Sequence, residues 1–299
     1  MTALWVAAAL IASAAQTARN ATQASLTRAI GTVGATQVRF LFGLPFALLF
    51  LLLVRSFGGE AIPALTPRAL GFTTLGALAQ IGATALMLLT MKQRSFAVTT
   101  AWIKTEPVLV ALIAALVLGD PLTWTALLAI AIATAGVLLM SVKPGSGLAM
   151  WREAGPALTG LLAGALFGAS AIGFRGGITS LETGGFLIRA TTTLALSLVL
   201  QTAILLIWLA LFDRTALRAS FRVWRSSLGA GFLGAFASQF WFIGFSLTSA
   251  ANIRTLALVE VIFAQAVSRF VFRQAVSKRQ LLGMTVIMLG VGLLLRNQT

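Results

Sequence analysis

No cysteine and no histidine occurs among the 299 residues, and only 7 residues are acidic. The missing cysteine excludes disulfides, thiolate nucleophiles and iron–sulfur or haem-thiolate ligation. The missing histidine removes the commonest metal ligand, together with the commonest general base and proton shuttle near neutral pH. No metal site and no cofactor is expected from what remains. Charge of either sign is scarce: 10% of residues are charged, against about 25% in a soluble domain. What fills the chain instead is apolar. Hydrophobic residues make up 59% and recur in runs of about 20, each long enough to cross the ~30 Å hydrocarbon core of a bilayer. The chain reads as a polytopic membrane protein.

The charges present are mostly positive, 22 Lys and Arg giving a formal net charge of +15. In a soluble protein that balance would point to nucleic acid. Here the basic residues sit between apolar runs, so they are read as topology signals and anchors for lipid headgroups, with no nucleic-acid partner. Loops after odd-numbered spans hold about twelve Lys and Arg, against about five on the face bearing both termini. The positive-inside rule then places the richer face in the cytoplasm and the termini outside. The opening "MTALWVAAALIASAAQ" has the A-x-A look of a signal peptide. It lacks a positive leading region and continues with polar residues at helical spacing, so it is read as a first span.

Apolar runs broken by Gly, Pro and charge place ten spans near 4–27, 33–54, 69–91, 96–118, 122–142, 157–176, 185–211, 226–248, 251–272 and 279–296. All should be helical, because a spanning segment must bond its backbone internally; the runs do not alternate as the strands of a barrel would. The expected fold is therefore all-α, with ten transmembrane helices. "SVKPGSG" at 141–147 is the one linker-like stretch, and it lies at the midpoint. A shift of 154 residues lays the second half on the first without a gap from Glu106 onward, matching Glu106 with Glu260, Leu127 with Leu281 and "GV" 136–137 with "GV" 290–291. Arg39 and Arg189 correspond at a slightly shorter offset. The expected units are 1–146 and 147–299. Five spans per half is an odd number, so the halves should lie in opposite orientations around a central cavity, a recurrent plan of secondary transporters.

Several polar groups stand where lipid would penalise them. Ser13, Gln16, Thr17, Asn20 and Thr27 fall along one face of the first span, where they either line a wet cavity or bond neighbouring helices. The third span repeats the pattern with Thr73, Gln80, Thr84 and Met87, and the eighth brings together Ser238, Gln239, Trp241, Phe242 and Phe245. Gly160, Gly164 and Gly168 form a four-residue repeat in the sixth span that permits close helix approach. The fourth span carries Trp102, Lys104, Glu106 and Pro107 near its middle. A mid-membrane charge costs ~2.5–3.5 kcal/mol, and a helix-interior proline about 3 kcal/mol. Lys104 and Glu106 stand about 200° apart around a helix and do not pair locally. Trp102 and Glu106 share a face. Glu106 and Glu260 either bond helix ends or pair with Arg19, Arg39 or Arg189. Lys104, whose counterpart is Leu258, is read as a contact for a substrate carboxylate, and Trp102 as an aromatic surface stacked on the substrate. Pro107 frees the Ile103 carbonyl and should bend the helix there, making one hinge of a rocking motion.

The run "EPV…LGD-x-LT…AGVLL" at Glu106–Leu139, its fainter copy at Glu260–Leu293, and the arginines early in spans two and seven resemble the drug/metabolite transporter superfamily. Within it the chain is similar to the ten-span EamA type, and its polar, tryptophan-bearing fourth span to the YddG type of amino-acid exporter. The family has Glu after the "LG" that ends the fourth span; here Asp120 stands there, and "FRQ" at 272–274 stands in the second half. The resemblance implies a central cavity, alternating access, a small-metabolite substrate such as an amino acid, action as a monomer, and a place in the bacterial inner membrane. It also implies both termini inside, against the charge count. Neutral polar stripes, one cation and tryptophans suit a molecule with a carboxylate and an apolar side chain. An intramembrane enzyme fits poorly: H-E-x-x-H chemistry needs histidine, and Asp120 and Asp213 stand at span ends, too far from the middle for a facing pair. A channel would favour a ring of repeated charges, which inverted repeats do not supply. Proton-coupled multidrug export remains the rival within the class, although the first span holds Arg19 and no carboxylate. Facilitated movement is the expected coupling.

Overall fold

The computed structural model of the protein describes residues 2–93, 123–141, 154–263, 266 and 277–296, together with 99, 102–103, 106–107, 110, 113 and 116 of the fourth span. Among them all regular structure is helical, as hydrocarbon requires of a backbone that finds no water to bond. Element α1 (Thr2–Leu41) takes in the first expected span and the beginning of the second. Gly31 interrupts it at φ 75° and ψ 175°, a left-handed position that glycine occupies without cost. The chain folds back there. The Gln23 side-chain amide donates to the Ala35 carbonyl at 2.9 Å, although 12 residues of straight helix would separate the two by ~18 Å. Element α2 (Leu44–Gly58) follows with Pro45 in its first turn, where the lost N–H costs nothing.

Next come α3 (Pro67–Gln93), α4 (Trp124–Ser141), α5 (Ala154–Thr179) and α6 (Phe186–Phe212). Element α7 (Arg214–Arg222) was not expected from apolar runs, being short and basic. Asp213 starts it by accepting from the Ala216 N–H at 2.9 Å, and Arg214, Arg218 and Arg222 stand exposed along it at four-residue spacing. Then follow α8 (Trp224–Leu247), α9 (Ala250–Leu256), a 3₁₀ turn (Ala257–Val259) and α10 (Lys278–Arg296). Among the described residues, five helices are long and apolar enough to cross a membrane, and Trp124–Leu139 and Leu281–Leu293 are shorter apolar helices. Large apolar side chains such as Leu52, Ile207 and Leu289 face outward, while alanines, hydroxyls and amides fill the interior. Lipid tails are as apolar as leucine, so helices associate through close contact of small residues rather than by burying large ones.

The most extensive helix pairs are α3 with α5, α1 with α8, α4 with α10, and α2 with α6. Replacing every first-half helix by its second-half counterpart returns the same four pairs. The α4–α10 contact shows this at the level of residues. A Cβ placed at Gly136 would stand 2.7 Å from the Ile287 nitrogen and 2.8 Å from the Gly283 oxygen. One placed at Gly290 would stand 2.5 Å from the Ala133 nitrogen and 2.8 Å from the Ala129 oxygen. Positions 136 and 290, 133 and 287, and 129 and 283 are each 154 apart, so the contact maps onto itself. Its register runs in opposite directions on the two helices, which are therefore antiparallel.

Candidate functional site

The fourth span lies on the glycine face of α5. Cβ atoms at Gly160, Gly164 and Gly168 would stand 2.8 Å from the Trp102 ring, 2.9 Å from the Ile103 oxygen and 3.0 Å from a Val110 methyl. The stem of Glu106 lies against Gly168 as well. Trp102, Glu106 and Val110 thus share one face, as four-residue spacing requires. The Ile103 carbonyl, which Pro107 leaves without its helical donor, meets bare backbone at Gly164, so no side chain shields it from the adjacent helix.

From this face a chain of polar contacts crosses the bundle. Glu106 forms a buried ion pair with Nε of Arg254, 3.0 Å away. The Arg254 guanidinium lies 5.5 Å from the ring centres of both Trp241 and Phe245, within cation–π range. The Trp241 indole N–H donates to Gln16 Oε1 at 3.0 Å. Gln16 in turn donates through Nε2 to Glu260 Oε1 at 2.6 Å. Five side chains, Glu106, Arg254, Trp241, Gln16 and Glu260, so connect the fourth span, the ninth span, α8 and α1. Every member is charged or has a polar handle, which makes burial tolerable only while each keeps a partner.

Two further arginines enter the interior beside this chain. Arg39 donates to the Thr84 hydroxyl at 3.1 Å. Arg19, 1% exposed, donates through Nη2 to Asn20 Oδ1 at 2.7 Å, while its Nε and Nη1 are buried without an acceptor. A buried donor left unfilled costs ~1–3 kcal/mol, and more on a charged group. Both arginine stems pass over Gly234, where a Cβ would stand 3.2 Å from Cγ of Arg39 and 3.6 Å from Cδ of Arg19. Glycine on α8 is what brings the two cations to the same place.

The structure thus gathers Gln16, Asn20, Trp241, Glu106, Glu260 and Arg39 of the residues singled out in the sequence. Gln80 and Gln239 go elsewhere, both toward α6. Gln80 Oε1 accepts from Gln201 Nε2 at 2.8 Å, and Gln239 Nε2 donates to Thr191 Oγ1 at 2.8 Å, so each joins helices. Arg189 donates to the Leu181 carbonyl at 3.3 Å, in a setting unlike that of Arg39. Trp102 and Pro107 are buried; Lys104 lies outside the described residues. Glu106 takes Arg254, a cation not among its expected partners. The sequence did carry a signal for Arg254, a second basic residue inside an apolar run, six positions before Glu260. Gln201 had only its isolation in an otherwise apolar stretch.

Apolar helices of spanning length around buried ion-paired and amide groups make this a multi-pass helical membrane protein. The EamA-like transporter family model matches residues 3–142 and again 155–296, and the chain belongs to that family. A protein of known crystal structure superposes with a TM-score of 0.70 over 98% of this chain and 94% of its own, at 14% identity; at that identity the likeness shows the fold alone. No curated protein matches this sequence.

Proposed function

We propose that this protein exports amino acids or similar small metabolites from a bacterial cell by alternating access, with its two halves acting as inverted repeats around a central site. The observation that carries this reading is the polar chain from Glu106 through Arg254, Trp241 and Gln16 to Glu260. It draws on both halves, so any rocking of one against the other remakes the site. The antiparallel, self-mapping packing of α4 on α10 supports the inverted arrangement, and one chain supplies both halves of the site. Gln16, Asn20, Trp241 and Arg254 contact the substrate in this reading. Lys104 adds a second cation for its carboxylate, and the Pro107 region serves as a hinge. A 3₁₀ turn immediately before Glu260 gives the ninth span its own irregularity at the matching place, where Val261 replaces proline; such turns inside helices mark hinges.

Proton-coupled drug export is less favoured because Glu106 is ion-paired and Glu260 is hydrogen-bonded. Purified protein in liposomes loaded with one neutral amino acid is expected to take up a labelled second one by counterflow, without an imposed pH gradient. Exchange of cationic drugs but of no amino acid, driven by such a gradient and abolished by Glu106→Gln, would establish the rival.

A further inference from the structure

The interior cations outnumber the carboxylates. Among the described residues, Arg19, Arg39 and Arg254 are buried there with Glu106 and Glu260, three positive groups against two negative. Lys104 adds a further positive charge to the fourth span in the sequence. The acceptors present are largely used. Glu106 faces Arg254, one oxygen of Glu260 takes the Gln16 amide, and the Thr84 hydroxyl takes Arg39. Arg19 is left with a neutral amide for a hydrogen-bond partner and two unfilled nitrogens. Gln16 and Asn20, on the same helix face, are only half-buried.

We infer that Arg19 receives a carboxylate of the transported molecule, and that the site requires this carboxylate but no ammonium group beside it. A guanidinium has five N–H donors and no acceptor. A carboxylate, with two charged oxygens, can satisfy two of them in parallel and neutralise the cation, which a neutral amide does not. The excess positive charge makes entry of an anion favourable and entry of a cation unfavourable, and among the described residues both buried carboxylates, Glu106 and Glu260, already have partners. Trp241 and Phe245 beside Arg254 suit an apolar or aromatic tail. The inference rests on the transport reading for what the site is used for, but it concerns binding and is tested by binding.

The test uses three probes of one shape: 3-phenylpropionate with the carboxylate alone, phenylalanine with both groups, and phenethylamine with the ammonium alone. Their affinities for the purified full-length protein in nanodiscs are measured by equilibrium binding and by ligand-dependent thermal stabilisation. Both carboxylates are expected to bind and phenethylamine to fail, and Arg19→Gln to weaken the carboxylates by about tenfold or more. Arg19→Lys keeps the charge without the planar fork and is expected to lose several-fold; it decides the matter should the glutamine variant not fold. Binding of phenethylamine as tight as that of the carboxylates overturns the inference. So does unchanged carboxylate affinity in the folded variants, or binding of none of the three. Counterflow of amines alone would leave a transporter without this site, whereas carboxylate binding without counterflow of any substrate would leave the site and remove the transport reading.

Discussion

Arg254 and Glu106 are separated by 148 residues in the chain (254 − 106) and by 3.0 Å in space. Both are buried, and each is the reason the other is tolerable there. Taking one away leaves an unneutralised charge in a medium that solvates it poorly, which costs ~3–5 kcal/mol, whereas taking both away together is often close to neutral. Arg254→Met and Glu106→Gln are therefore each expected to lower the thermal midpoint of the purified protein clearly. The double variant should recover most of that loss. A double variant as unstable as the sum of the singles would show that the two side chains act independently. Trp241 is coupled to the same pair through its ring and to Gln16 through its N–H, so Trp241→Phe should cost less than either single charge removal, keeping the ring and losing one hydrogen bond.

At the scale of elements, the fourth span and α5 show how a proline and a carboxylate are housed at mid-membrane. The neighbours at the three α5 glycines differ in kind, and that difference orders the effects of enlarging them. At Gly164 a methyl group would strike backbone, and at Gly160 the rigid ring of Trp102; at Gly168 it would meet a valine methyl at 3.0 Å, where a small rotation relieves it. Overpacking costs ~1–3 kcal/mol. Gly164→Ala and Gly160→Ala should therefore reduce folded yield and thermal stability more than Gly168→Ala, measured side by side; equal effects would mean that span four does not rest there. The glycine repeat and its close helix approach were legible from spacing alone, as were most of the apolar helices. The fold-back at Gly31 falls in the break expected between the first two spans, though nothing marked that one glycine among 28 for a positive φ. Element α7 was not legible, because its charged face at four-residue spacing looks like any basic loop when only apolar runs are sought. The site was legible as a set of polar residues on helix faces and illegible as a set of pairs. Spacing tells which side chains share a face, as for Trp102 and Glu106, but not which neighbouring helix that face meets; hence it did not foresee that Gln80 and Gln239 each bond to α6.

Among the described residues the arrangement has two-fold character at its seam and keeps only part of it at its centre, where Glu106 and Glu260 still correspond. Gly136 and Gly290 see the same backbone contact from opposite ends. Gly136→Val and Gly290→Val are accordingly expected to destabilise the protein by closely similar amounts, each forcing α4 and α10 apart, and a large difference in thermal midpoint between them would break the equivalence. Toward the middle the matched positions diverge: Thr100 against Arg254, Lys104 against Leu258, Pro107 against Val261.

A contact that maps onto itself is what two identical polypeptides make across an axis, each inserted in the membrane upside down relative to the other. Two such copies must carry the same residues at every equivalent place, so any cation facing the axis arrives twice and repels its own image. Joining the copies into one chain lifts that restriction. Arginine can then stand at 254 with threonine at 100, and a single Glu106 can take the one arginine rather than each copy having to carry both. In the inverted arrangement proposed here, the seam keeps the geometry of the pair of copies, while the centre is free to hold a lopsided charge, which would let it hold a small asymmetric molecule one way round.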